Sequence, residues 1–189
     1  MKLGKTLYVT NRKDWRSWFA KNHDKEKEIW LIYYRKSSGK PRIPYNDAVE
    51  EALSYGWIDS IQKGIDEEKF AQRFTPRKPK SELSEMNKER LRRLIKERKM
   101  TVAGLNAISG VFDKSKYQDE KLTIAPDILE ALKADKQAWK NFQKFPEGYK
   151  KVRLGFIESR RRHGDVIFQR SLQHFIKKTA KNKKFGMVK

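Results

Sequence analysis

The sequence contains no cysteine and very few histidines. With no cysteine among 189 residues, disulfide bridges, thiolate metal sites and a cysteine nucleophile are excluded. Three histidines, His23, His163 and His174, are too few and too scattered to predict a metal centre. No cofactor is expected either, because the chain lacks a Walker loop, a G-x-G-x-x-G motif and a G-x-S-x-G motif.

Long apolar runs are also absent. No segment approaches the roughly 20 apolar residues that cross a bilayer, and the opening MKLGKTLYVT has no signal-peptide core. We therefore expect a cytoplasmic protein without a transmembrane segment. A hydrophobic content of 37% with 12% aromatic residues still provides a core for one generous domain or two small ones. Nothing in the sequence indicates an oligomeric state.

Acidic residues are too few to balance the positive charge. The 45 lysines and arginines exceed the 24 acidic residues, which gives a net charge of +21. The excess is concentrated in two segments: residues 73–99 hold 11 cationic and 4 acidic residues, and residues 144–189 hold 14 and 3. Such a charge attracts polyanions and predicts nonspecific binding of nucleic acid.

The first half of the chain has the pattern of a small α+β unit. Two helical patterns, one around Trp15 and Phe19 and one from Ala48 to Leu53, alternate with short β-favouring runs. Gly56 suits the position just after the second helix. A third helix is predicted to begin after Ser81, its N-cap. The predicted strands, which form a small open mixed sheet with packed helices, are LYVT, IWLIYYRK, WIDS and KFAQRF.

The second half predicts a helical bundle. Apolar residues recur at helical spacing after Pro126, from Tyr149 and from Phe168, and Trp139 marks a short helix between the first two patterns. The fold class is therefore α+β followed by a C-terminal helical bundle. We predict an α+β domain at 1–99, a connector at 100–125, a helical domain at 126–182 and a basic tail at 183–189.

The segment RFTPRKPKS, residues 73–81, is a candidate anion site. Pro76 and Pro79 stiffen the backbone, while Arg73 and Arg77 can offer bidentate forks. A helix that begins after Ser81 would point free N–H groups toward the loop. Phosphate or carboxylate is the ligand class that suits such a site. The candidate ligand-binding residues are Trp57 as a stacking face, Asp59, Arg73, Arg77, Ser81 and Asn87.

Three alternatives use some of the same residues. Arg73 and Arg77 could pair with Asp59, Glu82 or Glu85 and only lock the loop. An unrecognised enzyme could use the same pocket with Asp59 as acid or base. Asp59, Glu67 and Lys69 also match the loose D…E-x-K spacing of magnesium-dependent nucleases, which arises easily by chance in a chain with 37% charged residues.

The C-terminal quarter carries a second candidate, a polyanion surface. It could contact phosphates of nucleic acid or anionic lipid, or it could only keep the protein soluble. No helix-turn-helix, zinc-finger or RNP signature accompanies it. Its predicted residues are Arg160, Arg161, Arg162, Arg170, Lys177, Lys178 and Lys181.

Several short motifs resemble the YdeI/OmpD-associated family, which is also named for bacteriocin protection. They are the run GWID from Gly56, the run RFTPR from Arg73, and the polar residues Ser81, Ser84 and Asn87. The resemblance extends from about Trp18 to Lys178 and implies an α+β N-terminal unit with a helical C-terminal region. The chain departs from the family at Ser60, where glycine is frequent, and at Leu83, where tryptophan is usual.

The resemblance implies no catalytic residues. We expect an accessory protein rather than an enzyme, with an anionic small molecule or a polyanion as its partner. A +21 protein should repel a cationic bacteriocin. Any role in bacteriocin or envelope-stress protection is therefore expected to be indirect, through an anionic envelope component, a nucleic acid or a metabolite.

Overall fold

The structure, a computed structural model, describes residues 3–79, 81–113 and 121–186. The chain forms two compact units. The first contains Met1–Glu82 and Arg90–Asp113, and the second contains Leu83–Glu89 and Lys114–Lys189. The domain boundaries expected from the sequence stay predictions.

The first unit is built on a four-stranded sheet. Its strands are β1 (Thr6–Leu7), β2 (Ile29–Tyr34), β3 (Trp57–Gly64) and β4 (Lys69–Pro76), in the order β1-β2-β4-β3. β1 is parallel to β2, and the other pairs are antiparallel, so the predicted open mixed sheet is confirmed. The register of β3 against β4 shifts between Asp59 and Gln62, where the edge strand is irregular.

Two helices pack against this sheet, and α1 buries aromatic side chains on it. α1 (Arg12–Asn22) begins after Asn11, whose side chain accepts from the Asp14 N–H. Its Trp15 and Phe19 are fully buried, and the Trp15 ring contacts that of Phe74 on β4. α2 (Tyr45–Ser54) contacts α1 and ends before Gly56. Gly56 has φ +77°, a left-handed conformation that glycine adopts without strain because it has no Cβ.

Two more helices follow in the central part of the chain. α3 (Glu85–Lys96) begins three residues later than the sequence predicts, and α4 (Val102–Ile108) lies where the sequence predicts a connector. The Oγ of Ser81 donates to the carbonyl of Lys78 at 2.8 Å and does not cap the helix. Ser84 takes that role, because its Oγ accepts from the N–H of Asn87 at 3.3 Å.

In the described part of the second unit lie four more helices: α5 (Pro126–Ala134), α6 (Lys136–Lys144), α7 (Glu147–Glu158) and α8 (Asp165–Ala180), with a 3₁₀ turn at Arg161–His163. Their apolar faces meet in one core, so the predicted C-terminal helical region is confirmed. Phe185, beyond α8, packs partly buried against this core, and its N–H donates to the hydroxyl of Tyr149. The core residues include Ile128, Leu132, Phe142, Tyr149, Ile157, Phe168, Leu172 and Phe175.

Within the described residues, no helix combines the length and apolar character that crossing a membrane requires.

Candidate functional site

Arg73 does not face Asp59 or the rest of the predicted anion site. Its Nε donates to Glu28 Oε2 at 2.7 Å, and Glu28 also accepts from the indole N–H of Trp30. The β2–β4 register explains this pairing, because Arg73 lies opposite Trp30 and the two share a face with Glu28. The Arg73 guanidinium holds the pKa of Glu28 below its usual range. Arg73 is therefore occupied by an ion pair.

Asp59 belongs to a different polar cluster, at the start of α2. The Tyr45 hydroxyl donates to Asp59 Oδ2 at 2.6 Å. Burial, followed by this hydrogen bond, raises the pKa of Tyr45. Arg90 approaches the same cluster and donates to Asn46 Oδ1 at 2.8 Å. Asp59 therefore has a tyrosine partner, and the alternative in which it pairs with Arg73 or Arg77 is not found among the described residues.

Trp57 cannot offer a stacking face to a ligand. Its side chain is only 1% exposed, and its indole N–H donates to the His23 carbonyl at 3.0 Å. Edge-to-face contacts with Trp18 and Phe19 surround the ring. Trp57 is a core residue. The run WIDS is too short for its alternation to show which face of the strand is buried.

Arg77 is a predicted site residue with side-chain donors that have no partner in the described part of the chain. Its side chain is 7% exposed, and Nη2 donates to the carbonyl of Ser81. In residues 3–79, 81–113 and 121–186, neither Nε nor Nη1 has a hydrogen-bond partner, and no carboxylate pairs with the guanidinium. Burial lowers the pKa of Arg77. A nearly buried cation without a counterion is the feature that an anion would complete.

The backbone around Arg77 is held in place. Its N–H donates to the Gly56 carbonyl at 2.9 Å, which joins the end of β4 to the turn after α2. The Ser81 N–H and Oγ both donate to the Lys78 carbonyl, which holds Ser81 close to Lys78. Ser81 thus contributes a carbonyl to Arg77, and its predicted role at a helix N-terminus is wrong.

Asn87 belongs to the second unit, on the first turns of α3. It is nearly buried. Neighbouring Glu85 pairs with Lys88 at 2.6 Å.

The nuclease spacing does not become a site. Asp59 lies opposite Phe74 on β4. Phe74 is five residues from Lys69 along that strand, a distance of about 17 Å, so Asp59 and Lys69 are far apart. Glu67 is exposed in the hairpin turn, and Lys69 pairs with Asp66 at 3.4 Å. Among the described residues, no group of three histidines or carboxylates could hold a metal ion. Catalysis by Asp59 in another reaction stays a prediction.

The predicted polyanion surface divides into engaged and free cations. Arg161 pairs with Asp127 and Glu158 and stacks on Phe168, while Arg160 stacks on the half-exposed Phe156. Arg162 is exposed beside His163. On the described part of the chain, no ion pair engages the α8 cations Arg170, Lys177 and Lys178 or the adjacent Lys181.

Sequence reasoning missed Glu28 and Tyr45, the partners that settle where Arg73 and Asp59 lie. Glu28 is 45 residues from Arg73 in the chain, and no spacing rule links them. Their contact depends on strand register, which is fixed only when the sheet forms. Tyr45 meets Asp59 because α2 begins beside β3, and this placement also has no local sequence signal.

Comparisons with known families divide the chain in a similar way. Residues 121–182 match the model of the family described as Bacteriocin-protection, YdeI or OmpD-Associated. The resemblance expected from the sequence is confirmed for that segment. Comparison with curated proteins and with solved structures finds no significant match. Residues 7–107 match the model of a domain of unknown function, DUF8412, and because this match covers more than half of the chain, the chain belongs to that family.

Proposed function

We propose that this protein binds an anionic small molecule through Arg77. The observation that carries the proposal is the nearly buried guanidinium with two nitrogens, Nε and Nη1, that have no partner in the described residues. An unpaired buried charge costs several kcal/mol, so a ligand that supplies the missing acceptors gains this energy on binding.

Phosphate or carboxylate is the ligand class that fits Arg77. A guanidinium is planar and carries five N–H donors, and it matches the oxygens of these anions in pairs. A single neutral carbonyl, that of Ser81, uses only one of its nitrogens. The remaining donors are enough for a bidentate contact with one anion.

The ligand must move part of the loop in order to reach Arg77. The atoms Nε and Nη1 are both shielded from water. Ser81 is held to Arg77 by a single hydrogen bond, from Nη2 to the Ser81 carbonyl, and we infer that a movement of Ser81 would open a path to the guanidinium. We therefore expect the anion to bind with an association rate constant below the diffusion limit.

The family description of the C-terminal segment includes bacteriocin protection. For this chain we infer an indirect role, through an anionic metabolite or envelope component. With a net charge of +21 the protein would repel a cationic peptide rather than sequester it.

A thermal-shift titration tests the anion site. Inorganic phosphate, citrate and phosphorylated metabolites are compared with chloride at equal ionic strength, on the unmodified chain, Arg77→Met and Arg73→Met. Arg73→Met is the matched control, because it removes the same charge from an arginine already paired with Glu28. We expect phosphate or a carboxylate to stabilise the unmodified chain and Arg73→Met but not Arg77→Met.

Without ligand, Arg77→Met should be no less stable than the unmodified chain, since it removes an unpaired buried charge. Arg77→Lys provides a second variant if the methionine variant does not fold. Equal anion shifts in the unmodified chain and the Arg77 variants, or no shift with any anion, would overturn the proposal.

A further inference from the structure

The outer face of α8 combines free cations with exposed aliphatic side chains. Val166 and Ile167, in its first turn, are 71% and 42% exposed. Val166, Arg170, Gln173 and Lys177 recur at helical spacing and form an exposed stripe about 16 Å long. Lys181, directly after the helix, extends this stripe. The opposite face of α8 is buried in the core of the second unit.

The charge of this face is not neutralised within the part of the chain that the structure describes. No ion pair there engages Arg170, Lys177 or Lys181. Asp165, at the first position of α8, is the acidic residue of the helix. By contrast, Arg161 in the preceding turn is held by Asp127 and Glu158. The stripe is therefore available to a negatively charged surface.

Two classes of macromolecule carry such a surface, and the exposed aliphatic side chains distinguish them. Phosphates of a nucleic acid would attract the cations but would leave Val166 and Ile167 in water. At a bilayer, the same cations face anionic headgroups while aliphatic side chains enter the boundary of the acyl region. Charge complementarity and exposed apolar surface thus favour one occupant.

We propose that the outer face of α8 binds the surface of an anionic lipid bilayer. The helix lies along the surface, with Val166 and Ile167 inserted and Arg170, Lys177 and Lys181 in contact with headgroups. Its buried face stays in the core, so binding requires no unfolding of the second unit. This interaction does not involve Arg77 and does not depend on the anion site.

Vesicle sedimentation with the full chain tests the proposal. Vesicles of phosphatidylglycerol and phosphatidylcholine in equal parts are compared with phosphatidylcholine alone. We expect binding to the anionic vesicles and a loss of about fivefold in affinity for each cation removed in Arg170→Gln/Lys177→Gln/Lys181→Gln. The control Lys13→Gln/Lys21→Gln/Lys25→Gln removes the same charge from exposed positions of the first unit and should lose much less.

The aliphatic variant separates lipid from nucleic acid. Val166→Ser/Ile167→Ser leaves the net charge unchanged, and we expect it to bind anionic vesicles roughly tenfold more weakly. Its affinity for single-stranded DNA should equal that of the unmodified chain. Circular dichroism of each variant verifies that the helices are intact.

Three outcomes would overturn the proposal. The first is equal vesicle affinity of the aliphatic variant and the unmodified chain. The second is an equal loss in the two charge variants, which would show a general effect of net charge. The third is absence of vesicle binding together with loss of DNA binding in the α8 charge variant, which would assign the face to nucleic acid.

Discussion

The Tyr33 hydroxyl is a buried polar group with no hydrogen bond in the described residues that would stabilise the fold. Tyr33 is 2% exposed, and its hydroxyl has no hydrogen-bond partner among the described residues. Burial is the main reason for its raised pKa. A hydroxyl that loses water and gains no partner is costly, in contrast to that of Tyr45, which donates to Asp59.

Tyr33→Phe should therefore leave the free energy of unfolding unchanged or raise it by up to about 1 kcal/mol. Tyr45→Phe, the matched control, should lower it by about 1.5–3 kcal/mol, because it removes a hydrogen bond to a charged acceptor. Urea denaturation of both variants measures the difference. A clear destabilisation by Tyr33→Phe would show that the hydroxyl has a partner in solution, such as an ordered water.

The Arg73–Glu28 pair makes stability depend on pH. The folded-state pKa of Glu28 lies below its ordinary value of 4.5. The contribution of the pair is therefore fully present above that value and is lost as the pH falls through the lower folded-state pKa. Both side chains are partly exposed, so solvent screening keeps the contribution below about 1 kcal/mol.

Glu28→Gln should accordingly lower the free energy of unfolding by up to about 1 kcal/mol at neutral pH, and should have no effect once the pH lies below the folded-state pKa. Urea titrations across the acidic range measure the two curves. Parallel curves that never converge would contradict this linkage.

At the scale of elements, a close approach fixes α4 against the end of α2. A methyl group on Gly104 would lie 2.2 Å from the carbonyl oxygen of Ser54. The same carbonyl accepts from the backbone N–H and the hydroxyl of Thr101, the N-cap of α4. A side chain at position 104 would therefore push the helix away from its own anchoring hydrogen bonds.

We expect Gly104→Ala to lower the free energy of unfolding by about 1–3 kcal/mol through overpacking. Gly110→Ala is the control, because a methyl group there would meet no atom within 4 Å. Its effect should stay within about 0.5 kcal/mol. Chemical denaturation compares the two alanine variants. Similar stabilities would show that α4 can shift without loss.

Local patterns in the sequence predicted most elements of the fold. β2 and the helices α1, α2 and α5 through α8 have strong periodicity or cap residues, and the predicted α+β class is confirmed. The start of α3 was wrong because Ser81 and Ser84 are equally good caps by residue type. In the structure the Ser81 hydroxyl donates to the Lys78 carbonyl, and Ser84 is the residue that caps the helix.

The candidate site was harder to predict than the elements. Trp57, Asp59, Arg73 and Arg77 are close in the chain, which suggested one pocket. In the sheet, strand alternation and register direct the first three to different partners: a buried aromatic cluster, Tyr45 and Glu28. Such partners are set by tertiary structure, and no local signal precedes them.

At the scale of the whole molecule, the net charge of +21 opposes compactness. Repulsion among many unpaired surface cations raises the free energy of the folded state more than that of the expanded chain. Salt screens these interactions at distances beyond roughly 10 Å. We expect the melting temperature to rise as the sodium chloride concentration is increased to physiological ionic strength, and to continue to rise above it. A melting temperature that falls with added salt would show that attractive ion pairs dominate instead.

The irregular pairing of β3 affects how the molecule behaves at high concentration. β3 is one of the two edge strands of the sheet that the structure describes, and its register shift falls between Asp59 and Gln62. An edge strand with regular spacing offers a template on which a strand of another molecule can add. The shift interrupts that template at its centre, next to the exposed Ile61. The exposed Ile61 of this edge thus lies where a regular ladder with a second copy is interrupted, and we expect this edge to resist the addition of another strand.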